Sequence, residues 1–259
     1  ALPAARPVFM LRNALSVVGR ERRFWKRVYW VGLAIMTMIS LLSSRHAIAV
    51  SEYSRRALTF GLKRTARRKV TVVYHGVDDV FSPPDGGTRK SYLLAVSDIY
   101  VQKNFHTLIQ ALAIARRRCP DLCLKIAGRP IDEGYFAEVA ETVRRSGLED
   151  AVEFLGPLSQ ESLRRHYREC AVFVFPSTTE TFGHPLVEAM ASAAPITALT
   201  KVAMLSLAYS RPRNPAMRRQ RPTFAHNTRN TGQVSIQADW GPSGAIRARI
   251  WELATTLKG

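Results

Sequence analysis

The sequence predicts an α/β chain: a parallel sheet with helices on both faces. Two observations carry this reading. From residue 70 to residue 191, short apolar runs rich in β-branched residues alternate with helix-length amphipathic segments, the order that βαβ units produce. The segments with Gly, Pro and Ser follow the apolar runs, at His75-Gly76, Ser97 to Lys103, Gly128-Arg129 and Pro176 to His184. That places them at the carboxyl edge of such a sheet, where ligands bind.

Each element has its own justification. Residues 1–45 are basic and read as mostly helical. Ala47 to Val50 is a short apolar run, and Ser51-Glu52 reads as an N-cap followed by an acidic first turn. Residues 61–69, rich in Lys and Arg, form a connection. Val70 to Tyr74 is a β-branched strand ending in the turn His75-Gly76-Val77-Asp78, where Gly76 permits the bend. Strands are then expected at Tyr92 to Val96, Leu122 to Ala127, Val152 to Leu155 and Ala171 to Phe175. Helices are expected at Asn104 to Arg117, Glu133 to Ser146, Ser159 to Glu169 and from His184 onward. The first of these has apolar residues at Leu108, Ile109, Leu112 and Ile114, one face of a 3.6-residue period. Residues 197–233 carry many Arg, Pro, Asn and Thr without a period, and Ile246 to Leu257 again reads as helical.

Bulk properties narrow the function classes. Of 259 residues, 46% are hydrophobic, enough for a packed core. The three cysteines, Cys119, Cys123 and Cys170, give no paired spacing, which argues against a disulfide framework or a zinc site and for a reducing, cytoplasmic setting. No segment shows the ordered regions of a signal peptide. The formal charge is +18, which suits anionic partners. No basic stretch carries the interleaved aromatics of a nucleic-acid module, so a generic basic surface is expected and no nucleic-acid partner. The most apolar run, Val28 to Leu42, falls short of the ~20 residues that span a bilayer. It follows Arg20, Arg22, Arg23, Lys26 and Arg27, with Trp25, Tyr29 and Trp30 at the junction. Two readings stay open: an interfacial helix at the inner face of an anionic membrane, or a helix packed inside an N-terminal domain.

The chemistry concentrates in Phe175-Pro-Ser-Thr-Thr-Glu180-Thr-Phe-Gly-His-Pro-Leu-Val-Glu188-Ala-Met-Ala. Gly183 lets the backbone approach a ligand closely. Pro185 suits the start of a helix, where its missing N–H costs nothing. The free N–H groups and positive dipole end of that helix form an anion site. One carboxylate, Glu180, then sits in a loop; a second, Glu188, is expected in the first helical turn. Carboxylates flanking backbone donors suit a ligand that is both polyhydroxylated and phosphorylated, such as a nucleotide sugar.

This stretch resembles the Glu-x7-Glu motif of retaining GT-B glycosyltransferases of the group 1, or family 4, kind. The resemblance implies that Glu180 contacts hydroxyls of the donor sugar, that Glu188 contacts the ribose, and that Phe182, Gly183 and His184 offer backbone N–H groups to sugar and phosphate. Val96-Ser97-Asp98-Ile-Tyr-Val-Gln-Lys103-Asn104 is similar to the family loop that holds the donor diphosphate, with Lys103 as the basic ligand. Many members carry Gly-Arg where this chain has Ser97-Asp98, so the partner arginine is absent from that position. Arg129 and Ser97 are further candidates at the phosphates. His75 and Asp78 resemble a family turn.

The implied fold is GT-B type: a Rossmann-like donor-binding domain at 69–196, preceded by a partial acceptor domain at 1–68 and followed by a divergent or frame-shifted segment at 197–259. The implied reaction moves a sugar from a nucleoside diphosphate to an acceptor hydroxyl, with retention of configuration, on a saccharide or lipid-linked acceptor of the kind used in polysaccharide biosynthesis. No metal or other cofactor is expected, because Lys103 and a helix N-terminus supply the positive charge. The alternative is a non-catalytic nucleotide-binding fragment with the same fold.

Overall fold

The computed structural model describes residues 8–11, 24–59, 68–84, 86–178 and 180–198, together with two-residue strands at 223–224 and 236–237. The sequence readings for the rest of 197–259, and for Arg20, Arg22 and Arg23, lie outside the described residues.

The chain divides into two compact units. The first holds a three-stranded parallel sheet in the order β1 (Val8–Leu11), β2 (His46–Ala49), β3 (Val70–Val72). Its helices are α1 (Phe24–Ser43) and α2 (Glu52–Leu58). Leu41, Ala47, Ala49 and Val70 form its core, with Phe9 packed against them. Ser51 caps α2 as the sequence indicated: its hydroxyl accepts from the Ser54 N–H at 3.0 Å.

Two readings of this region change. The first 45 residues contain a strand, β1, which four apolar residues cannot announce without knowledge of their partner β2. Val70 to Val72 pairs with β2 rather than opening the donor domain, because Ala47↔Val70 to Ala49↔Val72 registers it on the first sheet; the first unit accordingly runs through Gly76. Helix α1 has one partly covered side, with Trp30, Leu33, Ala34 and Met38 half-buried, and one exposed apolar side. Trp25 is 79% exposed, and Phe24, Val28, Tyr29, Val31, Ile35, Met36, Ile39 and Leu42 are exposed too, whereas Leu41 is buried. No helix among the described residues is long and apolar enough to cross a membrane.

The second unit holds a five-stranded parallel sheet: β4 (Lys90–Val96), β5 (Cys123–Ala127), β6 (Val152–Gly156), β7 (Cys170–Phe175) and β8 (Ile196–Ala198). Its helices are α3 (Phe105–Arg116), α4 (Glu133–Arg145), α5 (Gln160–Glu169) and α6 (His184–Ala191). Apart from β8, which the sequence reading did not announce, each of these elements lies within two residues of its sequence-predicted span, because the apolar period and the caps agree; Asp132 and Ser159 accept from the N–H groups of Tyr135 and Ser162. Strand β8 straddles the start of the segment read as divergent. One large core, including Phe105, Ile109, Leu112, Leu124, Ile126, Tyr135 and Val139, fills the space between α3, α4 and the sheet.

The strand order is β6-β5-β4-β7-β8. The chain therefore starts at β4, winds outward through β5 and β6, and returns to the other side of β4 for β7 and β8. The winding direction reverses between β4 and β7. In an open parallel sheet that reversal leaves a crevice at the carboxyl ends of the two strands, the usual ligand position.

Candidate functional site

The loops after β4 and β7 meet at that reversal. After β4, Val101–Lys103 forms a 3-10 turn, and Asn104 follows with φ +54°, a left-handed conformation that Asn tolerates better than most residues. The Thr178 N–H and hydroxyl both donate to the Gln102 carbonyl, at 3.0 and 3.1 Å. The Asn104 amide donates to the Pro176 carbonyl at 3.4 Å. These bonds fix Lys103 relative to the loop that begins the two-glutamate motif.

Lys103 is 7% exposed. Its ammonium stands over the rings of Tyr100 and Phe175, 5.4 and 5.7 Å from their centroids. Ring faces offset part of the cost of removing an ammonium from water. A cation held this way gains most from an anion that brings its own charge into the same place.

Glu188 lies on α6. The helix starts at His184, so Glu188 is its fifth residue, just beyond the first turn rather than within it. Side chains on a helix lean toward its N-terminus, so this carboxylate still points back along the motif. It is half-buried, and the Tyr167 hydroxyl donates to its Oε2 at 3.0 Å. Burial pushes the Glu188 carboxyl above its ordinary range, and the Tyr167 hydrogen bond, which favours the charged form, pulls it partly back. Tyr167 is fully buried on α5 between the rings of Phe81 and Phe173. Burial first, then the Glu188 charge, raises its phenol well above the ordinary value. Sequence reading missed Tyr167 because a tyrosine on the inner face of a helix looks like any other core aromatic.

Arg129 and Asp98 face each other across the ends of β5 and β4. The Arg129 Nε and Nη2 donate to the two carboxylate oxygens of Asp98, at 3.3 and 2.9 Å, and the Arg129 backbone N–H donates to Oδ1 at 3.0 Å. This guanidinium holds the Asp98 carboxyl below its ordinary range, with Lys103 adding to the effect. The strand ends are themselves bonded: Ser97 N–H to Ala127 carbonyl at 2.9 Å and Ile99 N–H to Arg129 carbonyl at 2.8 Å. Gly128 has φ +150°, and a Cβ there would lie 2.0 Å from the Ser97 carbonyl oxygen. Only glycine lets the two ends approach this closely. Ser97 is half-buried, and its hydroxyl donates to the Asp98 carbonyl at 3.1 Å.

The second unit thus brings together Ser97, Asp98, Lys103, Arg129, His184 and Glu188. His184 is exposed at the helix start. Glu180, Phe182 and Gly183 group with the first unit instead. There the His75 ring meets the buried Phe182 edge-on at 5.1 Å. Gly183 has φ +82°, a left-handed conformation that favours glycine. Among the described residues there is no cluster of three or more His, Cys, Asp or Glu able to hold a metal ion.

The family model described as glycosyl transferases group 1 matches residues 82–203. Mannosylfructose-phosphate synthase of Agrobacterium fabrum is 32% identical over 152 residues, 52% of this chain and 33% of that protein. An uncharacterized glycosyltransferase of Bacillus subtilis, YqgM, is 27% identical over 192 residues, 73% of this chain and 50% of that protein. The chain spans between about a third and a half of the length of these relatives. Among solved structures, Anabaena HepE in complex with UDP and glucose matches with a TM-score of 0.59 and 23% identity, covering 74% of this chain and 52% of that one. A sucrose-phosphate synthase from Thermosynechococcus elongatus matches with a TM-score of 0.62 and 20% identity, covering 78% and 52%. These two likenesses establish the fold as that of GT-B glycosyltransferases. Over residues 82–203 the chain is similar to the group 1 glycosyltransferases, and its fold is that of its GT-B neighbours.

Proposed function

We propose that this chain binds a nucleoside-diphosphate sugar at the carboxyl edge of the β4–β8 sheet and serves its transfer to an acceptor hydroxyl with retention of configuration. One observation carries the reading: a buried lysine and a half-buried, tyrosine-held glutamate both flank the point where the winding of the sheet reverses.

Lys103 meets the diphosphate, where its charge stabilises the negative charge that grows as the sugar departs. Glu188 accepts hydrogen bonds from the ribose. Glu180 contacts sugar hydroxyls, with Phe182, Gly183 and His184 supplying backbone N–H groups. The helix N-terminus and Lys103 replace a divalent cation, so transfer persists in excess EDTA. Solved neighbours that hold UDP or UDP-glucose support the donor class. The three cysteines, all free, support a cytoplasmic setting. The exposed aromatic and apolar side chains of α1 support peripheral attachment to an anionic membrane, which cosedimentation with anionic and neutral vesicles tests.

The deciding experiment incubates the chain with UDP-, GDP- and ADP-sugars and a panel of saccharide and lipid-linked acceptors, with product anomers read by NMR. A retained anomer supports the reading. Nucleotide binding without transfer supports the alternative, a nucleotide-binding fragment of such an enzyme. An inverted anomer overturns the stereochemical part.

A further inference from the structure

The Asp98–Arg129 pair invites a question. An aspartate beside a diphosphate site is unfavourable by its charge alone. Yet Asp98 sits at the end of β4, five residues before Lys103, in the loop assigned to the phosphates. Its carboxylate takes three hydrogen bonds from Arg129, one from the backbone and two from the guanidinium. The side chain of Arg129 is 66% exposed, and an exposed arginine ordinarily samples many rotamers. Here a two-pronged contact and a glycine-permitted backbone approach hold it in one.

We propose that Asp98 is a positioning residue that aims the Arg129 guanidinium at the donor diphosphate, so that Arg129 and Lys103 form the basic pair of the site. The inference rests on the nucleotide-sugar reading above and deepens it. A guanidinium that gives Nε–H and one Nη2–H to a carboxylate keeps its Nη1 edge for a second anion. The arginine is supplied by the end of β5 rather than by the β4 loop, and the aspartate in that loop is the group that holds it. The local charge of the pair with Lys103 is +1, which still favours a diphosphate. An aspartate without the arginine would cancel the lysine.

Binding of UDP, GDP and ADP to the full chain is measured by calorimetry, and the tightest is taken forward with its matching nucleoside. Asp98→Asn keeps an oxygen for the Arg129 backbone N–H but sets an amide against the guanidinium, so it loosens the fork while sparing the backbone bond. Asp98→Asn and Arg129→Ala are each expected to weaken diphosphate binding roughly three- to tenfold, with nucleoside binding and melting temperature unchanged. Arg129→Lys, which keeps the charge and loses the fork, is expected between the wild type and Arg129→Ala. In the Arg129→Ala background, Asp98→Asn costs nothing further, or restores some affinity by removing a negative charge. Tighter diphosphate binding in the Asp98→Asn single variant overturns the proposal, because the carboxylate then acts only by repulsion. Equal losses for diphosphate and nucleoside also overturn it, leaving a loop latch. Binding that depends on Lys103 but not on Asp98 or Arg129 sinks this inference alone. Failure of all three diphosphates to bind removes the donor-site reading and this inference with it.

Discussion

At the scale of single residues, Glu188 carries opposed demands. The proposed ribose contact needs it ionised, and its burial favours the neutral form. Its folded-state value is raised above the ordinary 4.5. Its contribution to folding stability is therefore fully present below that ordinary value, and it is lost as pH rises through the raised value. Nucleoside affinity runs the other way: it falls on acidification through the raised value, at a higher pH than an ordinary glutamate would give. Removing the carboxylate by Glu188→Ala is expected to weaken nucleotide binding by roughly 1.5–3 kcal/mol, with folding intact; unchanged affinity by calorimetry would remove the ribose assignment. Tyr167→Phe deletes only the hydroxyl that favours the charged carboxylate. It is expected to cost about 1 kcal/mol of nucleoside affinity at neutral pH and to move the acid limb of the binding profile upward. A profile that stays in place would show that the bond is packing alone. Lys103→Ala separates from both. Under the proposed phosphate contact its loss should fall on the nucleoside diphosphate far more than on the nucleoside, and equal losses would count against that role.

At the scale of elements, the close approach of the β4 and β5 ends depends on Gly128. Its alanine variant sets a methyl group against backbone atoms, the Ser97 carbonyl oxygen at 2.0 Å and carbon at 2.4 Å. Neither can move aside as a flexible side chain would. Gly128→Ala is expected to destabilise the second unit by about 1–3 kcal/mol in chemical denaturation. It should also weaken diphosphate binding by spreading Asp98 from Arg129. A variant of wild-type stability and affinity would mean that the two strand ends are free to part. Most elements of this sheet were legible in the sequence, because cap, period and turn residues agree along 90–191: Asp132 and Ser159 start helices, Gly147 (φ +62°) follows one, and β-branched runs fill the strands. Strand β1 was not legible, since pairing with β2, distant in sequence, is what defines it.

At the scale of the whole molecule, ligand binding should be felt unevenly by the two units. Nucleoside diphosphate at about 100 times its dissociation constant stabilises the state that binds it by about 2.7 kcal/mol. Hydrogen exchange is expected to show the added protection in 97–103, 127–131, 176–178 and 184–191, with β2 and α2 little changed. Protection spread evenly over both units would contradict a site built on the second sheet. A chain of formal charge +18 also draws an anionic donor through its summed field, so affinity should decline as ionic strength rises. The sequence by itself determined the order of the elements of the second unit and the identity of Lys103, Glu180 and Glu188 as candidates, because local period, caps and a compact motif are written in neighbouring residues. Tertiary structure alone decided that β3 belongs to the first sheet, that Tyr167 holds Glu188, and that Arg129 answers Asp98. Each of those joins residues at least 21 positions apart, and only the folded sheet and helices bring such pairs within a hydrogen bond.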